Sequence, residues 1–232
     1  MGATDFSIVP VIDLLGGAVV RARAGERASY APIVTPLSPS AEPRAVVAGL
    51  LRAWPARHLY IADLDAIQGR GRNAAAVAAI SRDFPRVEIW VDAGFSRETE
   101  IRSFGLPGRA RPVIGTESQT GPDLVRHLGA SAILSLDYRG EERLGPAILH
   151  DDSALWPTTV IVMTLARVGM DAGPDRARLT AVKRRAGERA VYAAGGVRDL
   201  ADCEALREDG IAGALVASAI HAGRIRRDAQ SP

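Results

Sequence analysis

Two aspartates close apolar runs about half a chain apart: Phe6-Ser-Ile-Val-Pro-Val-Ile-Asp13 and Ala130-Ser-Ala-Ile-Leu-Ser-Leu-Asp137. An apolar run that stops at a carboxylate reads as a buried parallel strand with the acid at its C-terminal end. Two such acids across one mouth can serve as general acid and general base, if their surroundings separate their pKa values. The plainer alternative is that each caps the next turn or pairs with an arginine, as Asp often does. Thr164 closes a third run. Its hydroxyl either orients a substrate oxygen or bonds to adjacent backbone.

A second kind of chemistry is anion binding. Ala194-Gly-Gly196 follows one apolar run, and Ala217-Ser218 follows the last one, where a short helix starts. Glycines let the backbone approach an oxyanion, and free N–H groups complete the cradle. Gly195, Gly196, Ala217 and Ser218 are therefore the candidate phosphate site, against the alternative of plain strand-to-helix turns. A matching second anion or substrate site is Gly94 with Gly115 and Thr116, joined by Arg21 from the first loop. Asp92 places a negative charge in that second cradle and opposes a phosphate there.

Other chemistries find little support. Lys183 is the one lysine, in a polar run that reads as a solvated helix end, so a Schiff-base mechanism is not expected. Cys203 is the one cysteine, which excludes an intrachain disulfide and fits a reduced cytosolic setting. Asp63 and Asp65 share a side of the chain, yet a metal site needs more oxygen ligands than that pair. His58, His127, His150 and His221 are scattered, so neither a histidine metal cluster nor any other cofactor is expected.

The elements that must position these residues follow from alternation. Apolar runs at 7–13, 58–63, 87–91, 111–115, 131–137, 158–164, 190–194 and 213–217 read as strands. Amphipathic segments at 42–54, 73–82, 97–104, 120–128, 175–186, 199–208 and 218–224 read as helices, with a turn or so within 145–152. Strands alternating with helices in this number predict an α/β fold, a (β/α)8 TIM barrel spanning residues 1–232 as a single domain. Its C-terminal strand ends carry the chemistry. The rival, a doubly wound open sheet, calls for a glycine-rich turn after strand one, and Leu14-Leu-Gly-Gly17 lacks that spacing. The first loop, at about 14–40, carries Arg21, Arg23, Arg27 and Tyr30. Loops of this length are usually functional; its arginines either clamp an anionic substrate or are simply solvated.

The chain also repeats. Val91-Asp-Ala-Gly-Phe-Ser-Arg-Glu-Thr-Glu100 resembles Ala193-Ala-Gly-Gly-Val-Arg-Asp-Leu-Ala-Asp202, with Gly94 falling on Gly196. Pro112–Thr116 falls on Ala214–Ser218 and Tyr60–Leu64 on Val162–Ala166 at the same offset. Asp13 and Asp137 pair at a wider offset, the difference being absorbed by the long first loop. The barrel therefore reads as two half-barrel repeats with the two aspartates at equivalent places.

The chain has 232 residues, 47% of them hydrophobic and 24% charged, with a net charge of +2. Basic and acidic residues are interleaved and only 5% of residues are aromatic, so no nucleic-acid stripe is expected. No segment approaches the roughly 18 apolar residues of a membrane span, and no signal peptide precedes the first strand. A cytoplasmic protein is expected, a monomer or homodimer whose partner is a small phosphorylated substrate, with no nucleic acid and no membrane.

Pro10-Val-Ile-Asp-Leu-Leu-Gly-Gly-Ala-Val-Val-Arg21, His58-Leu-Tyr-Ile-Ala-Asp-Leu-Asp65, Leu136-Asp137, Ala194-Gly-Gly-Val197 and Gly213-Ala-Leu-Val-Ala217 resemble the histidine-biosynthesis barrel family. That family holds the ProFAR isomerase and the cyclase subunit of imidazole-glycerol-phosphate synthase. The resemblance runs from about Ile8 to Ile225 and implies a half-barrel duplication. It also implies an Amadori rearrangement of an aminoaldose phosphate. The strand-one aspartate, Asp13, would be the acid in ring opening. The strand-five aspartate, Asp137, would be the base at the sugar C2, assisted by the strand-six threonine, Thr164. No metal or organic cofactor is implied.

Two departures narrow that expectation. The family's turn of three glycines after strand three reads Asp92-Ala-Gly-Phe-Ser96 here. The loop after strand six, usually of an Arg-Asp-Gly-Thr type, reads Arg167-Val-Gly-Met170 and is one residue shorter. One of two phosphate sites is altered, so a divergent paralogue outside ordinary histidine biosynthesis is expected. Paralogues of this kind resemble proteins of methanogens and methylotrophs, which implies a role near one-carbon carrier (methanopterin or methanofuran) synthesis. A different class of function is a barrel that has lost catalysis and serves as a binding or assembly subunit.

Overall fold

The computed structural model describes residues 6–22 and 30–227. Arg23 and Arg27 lie outside the described residues. Eight parallel strands close on themselves: β1 (Ser7–Leu15), β2 (His58–Asp63), β3 (Glu88–Asp92), β4 (Ala110–Gly115), β5 (Ile133–Arg139), β6 (Thr159–Thr164), β7 (Ala190–Ala194) and β8 (Gly213–Val216). Neighbours pair in sequence order, and β8 returns to β1 with Ser7 opposite Gly213 and Pro10 opposite Val216. The (β/α)8 barrel expected from the sequence is the fold observed. β1 and β5 stand on opposite sides of the ring, with three strands between them either way.

Alternation along each strand divides the core into two layers. Val9, Tyr60, Trp90, Val113, Ile133, Ile161, Tyr192 and Leu215, one from each strand, fill the barrel interior. The residues between them, such as Ile8, Ile61, Ile89, Ile114, Leu134, Val160 and Val191, pack outward against the helices. Trp90 and Tyr192 are equivalent residues of the two half-barrels. Their rings meet edge to face at 4.9 Å, the arrangement that aromatic quadrupoles favour. The repeat is thus visible as a contact across the barrel axis.

The helices fall near their expected bounds: α1 (Pro43–Ala53), α2 (Ala74–Asp83), α3 (Glu98–Phe104), α4 (Asp123–Leu128), α5 (Ala147–Asp151), α6 (Arg176–Ala186), α7 (Leu200–Glu208) and α8 (Ser218–His221). Side-chain caps fix several starts: Glu42 accepts from Ala45 N, Asp175 from Arg178 N and Asp199 from Asp202 N. The helix expected from residue 120 begins at Asp123, because Pro122 occupies the N-cap. The helix expected over 218–224 is a single turn. No helix among the described residues is long and apolar enough to cross a membrane.

The first loop is more ordered than a loop reading implies. Leu15 and Ala18 pair around Gly16 and Gly17, so Ala18–Val20 folds back on β1 and sets Val20 opposite Asp13. Both glycines have positive φ, +58° and +80°, as the two central residues of a type I′ hairpin require. This ribbon is anchored by the segment that follows β2. Gly16 N donates to Asp65 Oδ2 at 2.7 Å, and Gly17 N to Asn73 Oδ1 at 3.1 Å. Asn73 Nδ2 donates to both Asp63 Oδ1 (2.7 Å) and Asp65 Oδ2 (2.8 Å). Asp63 is fully buried. Asp65 therefore holds the ribbon directly, and Asp63 holds Asn73, which accepts from the ribbon's Gly17 N–H.

Candidate active site

At the C-terminal ends of the strands lies a cavity of about 490 Å³. Asp13, Asp92, Glu117 and Asp137 line it on one arc; Gly195, Gly196, Ala217 and Ser218 line it on another. Arg21, Tyr30, His221 and Arg224 also reach it. The two strand-end aspartates singled out in the sequence thus share one chamber, as do the four residues of the expected phosphate site.

Asp137 is held by a dense set of neighbours. Ser135, two residues earlier on the same face of β5, donates to Oδ1 at 2.6 Å. Glu117 N donates to Oδ2 at 3.0 Å, and Thr116 Oγ1 at 3.4 Å. The same threonine oxygen accepts from Asp137 N at 2.9 Å. Burial raises the carboxyl to about 7; the charges of Asp92 and Glu117 add to the rise, while the Ser135 hydroxyl and the Glu117 N–H oppose it. A carboxylic acid with a pKa near neutrality exchanges protons at physiological pH, which an ordinary aspartate does not.

Asp13 is partly buried, opposite Ala62 of β2 in register. Between the acids stands Tyr60, whose hydroxyl donates to Asp92 Oδ2 at 2.9 Å. Burial holds this phenol well above its usual range, and Asp92, Asp137 and Asp13 each add to the effect. Tyr60 therefore stays protonated as a fixed donor among three carboxylates. Neither Tyr60, Glu117 nor His221 was singled out by motif. Tyr60 and Glu117 carry no local signal, since only barrel closure brings them to the aspartates.

The two candidate anion sites differ. Gly195 and Gly196 have φ of +101° and +90°, a region that favours glycine. A Cβ on Gly195 would stand 2.6 Å from the Thr164 carbonyl oxygen, and one on Gly196 would overlap the Gly173 carbonyl. The turn is open to the cavity and closed to side chains. Gly94, Gly115 and Thr116 do not line the cavity. Their donors are turned onto the protein's own acids: Gly94 N donates to Asp92 Oδ1 at 3.2 Å, and Thr116 serves Asp137 as above. A Cβ on Gly115 would come within 2.9 Å of Asp137 Oδ2. Arg21 does reach the cavity, but its charge acts on His221, on the side of the Gly195 turn. Its Nη2 donates to Val34 O at 3.2 Å.

Thr164 is buried and is absent from the cavity lining. Register explains this. Asp137 pairs with Met163, and Thr164 pairs with Tyr138, so alternation sets Met163 toward the cavity and Thr164 with the helix-facing residues. Nearby, Arg224 lines the rim and pairs with Asp171 at 2.6 Å. No group of three or more potential metal ligands occurs among the described residues.

Residues 7–226 match the family described as "Histidine biosynthesis protein". The ProFAR isomerase of Acidithiobacillus ferrooxidans, an imidazole-4-carboxamide isomerase whose name carries two phosphoribosyl groups, is 32% identical over 94% of this chain and 95% of its own length. The same isomerase of Deinococcus radiodurans is 32% identical over 94% of each chain. An uncharacterized protein of Methanocaldococcus jannaschii is 28% identical over 93% of each.

Proposed function

This chain belongs to the histidine biosynthesis protein family, and on that premise we propose that it isomerises a small sugar-like substrate carrying one phosphate, by Amadori-type acid–base chemistry outside ordinary histidine biosynthesis. The observation that carries this reading is Asp137: a buried carboxyl at a barrel-strand end, set near pKa 7, in one cavity with Asp13 from the opposite strand.

The steps follow from that placement. The phosphate rests on the Gly195, Gly196, Ala217 and Ser218 turns, and the sugar extends between the two aspartates. Asp13 gives a proton to the ring oxygen as the C1–O bond opens, leaving an iminium at C1. The Asp137 carboxylate takes the C2 proton, and the electron pair forms an enaminol. Protonation at C1 and loss of the C2 hydroxyl proton complete the ketose, so the sequence is an isomerisation with no net redox change and calls for no cofactor. A base is most effective when its pKa lies near the working pH. Thr164 enters the reading as a buried support of β6, its carbonyl packed against the Gly195 turn.

The single-phosphate part rests on Asp92 and Asp137. They hold the donors of Gly94, Glu117 and Thr116, which in a symmetric barrel would face a second phosphate. A substrate with two phosphoribosyl groups, as in the names of the isomerase relatives, would meet carboxylates there.

The test is direct. In deuterated water the protein should convert an N-aryl-ribosylamine 5-phosphate to the 1-amino-1-deoxyketose, with deuterium entering at C1. Asp13→Asn and Asp137→Asn should each lower turnover by about 10²–10⁴-fold. Wild-type-like turnover in both variants would refute the assignment. Growth of an isomerase-deficient histidine auxotroph on this chain would overturn the departure from histidine synthesis.

A further inference from the structure

The one-turn helix α8 that carries Ser218 also carries a histidine for which the chemistry above has no task. His221 is 6% exposed, and its ring lines the cavity beside Ala217 and Ser218. Nδ1 lies 3.0 Å from Thr35 Oγ1. Nε2 makes no hydrogen bond to the described residues. It is not sealed in the core either, since the buried polar atoms without partners are Gln68 Nε2, His150 Nδ1 and Arg178 Nη1. The Nε2 edge therefore opens on the cavity.

Hydrogen-bond accounting favours one tautomer of the His221 ring. A threonine hydroxyl has one proton to donate and two lone pairs. Thr35 Oγ1 accepts from Leu37 N at 3.2 Å, and its own proton has one acceptor in reach among the described residues, His221 Nδ1. With the hydroxyl proton on that bond, Nδ1 accepts and Nε2 carries the hydrogen. The ring is neutral at physiological pH, because burial, helped by the charge of Arg21, lowers the imidazole to about 4. A neutral Nε2–H and the Arg21 guanidinium both face the chamber as donors, which suits an anion.

We propose that His221 is a specificity-determining residue that donates its Nε2–H to the substrate phosphate, and that Thr35 of the long first loop is the positioning residue that sets this tautomer. This rests on the phosphate site read at Gly195, Gly196, Ala217 and Ser218. It gives the first loop a role at the phosphate turn, which Thr35 reaches through one side chain.

The test uses inorganic phosphate as the probe and histidine-labelled full-length protein. Long-range proton–nitrogen NMR should show His221 in the Nε2–H form at neutral pH, with its assignment made from His221→Gln. Saturating phosphate should shift the Nε2 resonance. His221→Ala should weaken phosphate binding about ten-fold; His221→Gln, which keeps an N–H donor, should recover part of that loss. Thr35→Val should weaken phosphate several-fold, because the ring loses the hydroxyl that orients it. An unmoved Nε2 resonance at saturation, or equal affinity in wild type and His221→Ala, overturns the role of His221. Where the alanine variant fails to fold, the wild-type titration and the glutamine variant decide. Binding that survives in His221→Ala but is lost in Gly196→Ala sinks the histidine role alone. A wild type that binds no phosphate sinks the phosphate site and this inference with it.

Discussion

Replacing Asp137 with asparagine should stabilise the protein while removing its activity. In the fold the carboxyl sits near 7, against 3.8 for an ordinary aspartate. The folded state therefore holds this proton more tightly than the unfolded chain does. Stability falls as pH rises through that window, and the loss is complete above the folded pKa. Each pKa unit corresponds to about 1.4 kcal/mol, so ionising Asp137 costs the fold roughly 4 kcal/mol at pH 8. Asparagine cannot ionise, and the site accommodates it: its carbonyl can accept from Glu117 N, and its amide can donate to Ser135 Oγ, whose hydroxyl turns to accept. Asp137→Asn should then match wild type near pH 4 and exceed it by up to about 4 kcal/mol at pH 8. Urea unfolding across pH 4–8, with turnover measured on the same samples, reads both quantities. A stability difference that stays flat across that range, or a variant less stable at pH 8, would refute the reasoning. A gain in stability with loss of activity is the trade expected where a site stores strain for its chemistry.

Two further outcomes follow from the same geometry. If Asp137 is the base, kcat/KM should rise through about pH 7; Asp92→Asn should move that limb to lower pH and Ser135→Ala to higher pH, and coincident profiles for the three proteins would exclude Asp137 as the titrating group. Asn73→Ala should cost about 1–3 kcal/mol, because it strips donors from the buried Asp63 and from Asp65; urea unfolding measures the loss, and the midpoint of the rate–pH profile should stay where it is.

Much of this architecture was legible because parallel barrel strands are buried on both faces and so write themselves as apolar runs. Strand five, with only its last residue exposed, is the plainest case, and the offset between Gly94 and Gly196 reappears as the contact of Trp90 with Tyr192. What stayed hidden depends on register and closure, which no local pattern carries. Thr164 ends an apolar run as Asp137 does, yet β6 is paired so that Met163 faces the cavity instead. Asp63 and Asp65 sit where catalytic acids belong; their partner Asn73 and the Gly16–Gly17 turn come from other segments, and only the fold shows them engaged. The ribbon Ala18–Val20 did have a signal, two glycines between apolar pairs, but three residues are too few to stand out from a loop. His221 was visible only as one of four scattered histidines, since its task depends on Thr35, which the fold brings to the strand-eight turn.

Asp92 joins the two halves of the functional reading. Its Oδ1 takes the N–H of Gly94, and its Oδ2 takes the Tyr60 hydroxyl. The first bond occupies a donor that an anion would need, and the charge is the second largest of the influences raising Asp137. An acid at this position thus opposes a second phosphate and strengthens the base in a single substitution. In the proposed reaction the two effects act in different steps, one on which substrate is held and the other on how readily its C2 proton leaves. A barrel whose second candidate cradle is occupied in this way need not give up the proposed chemistry, because the same charge adds to the burial that keeps Asp137 protonatable near neutral pH.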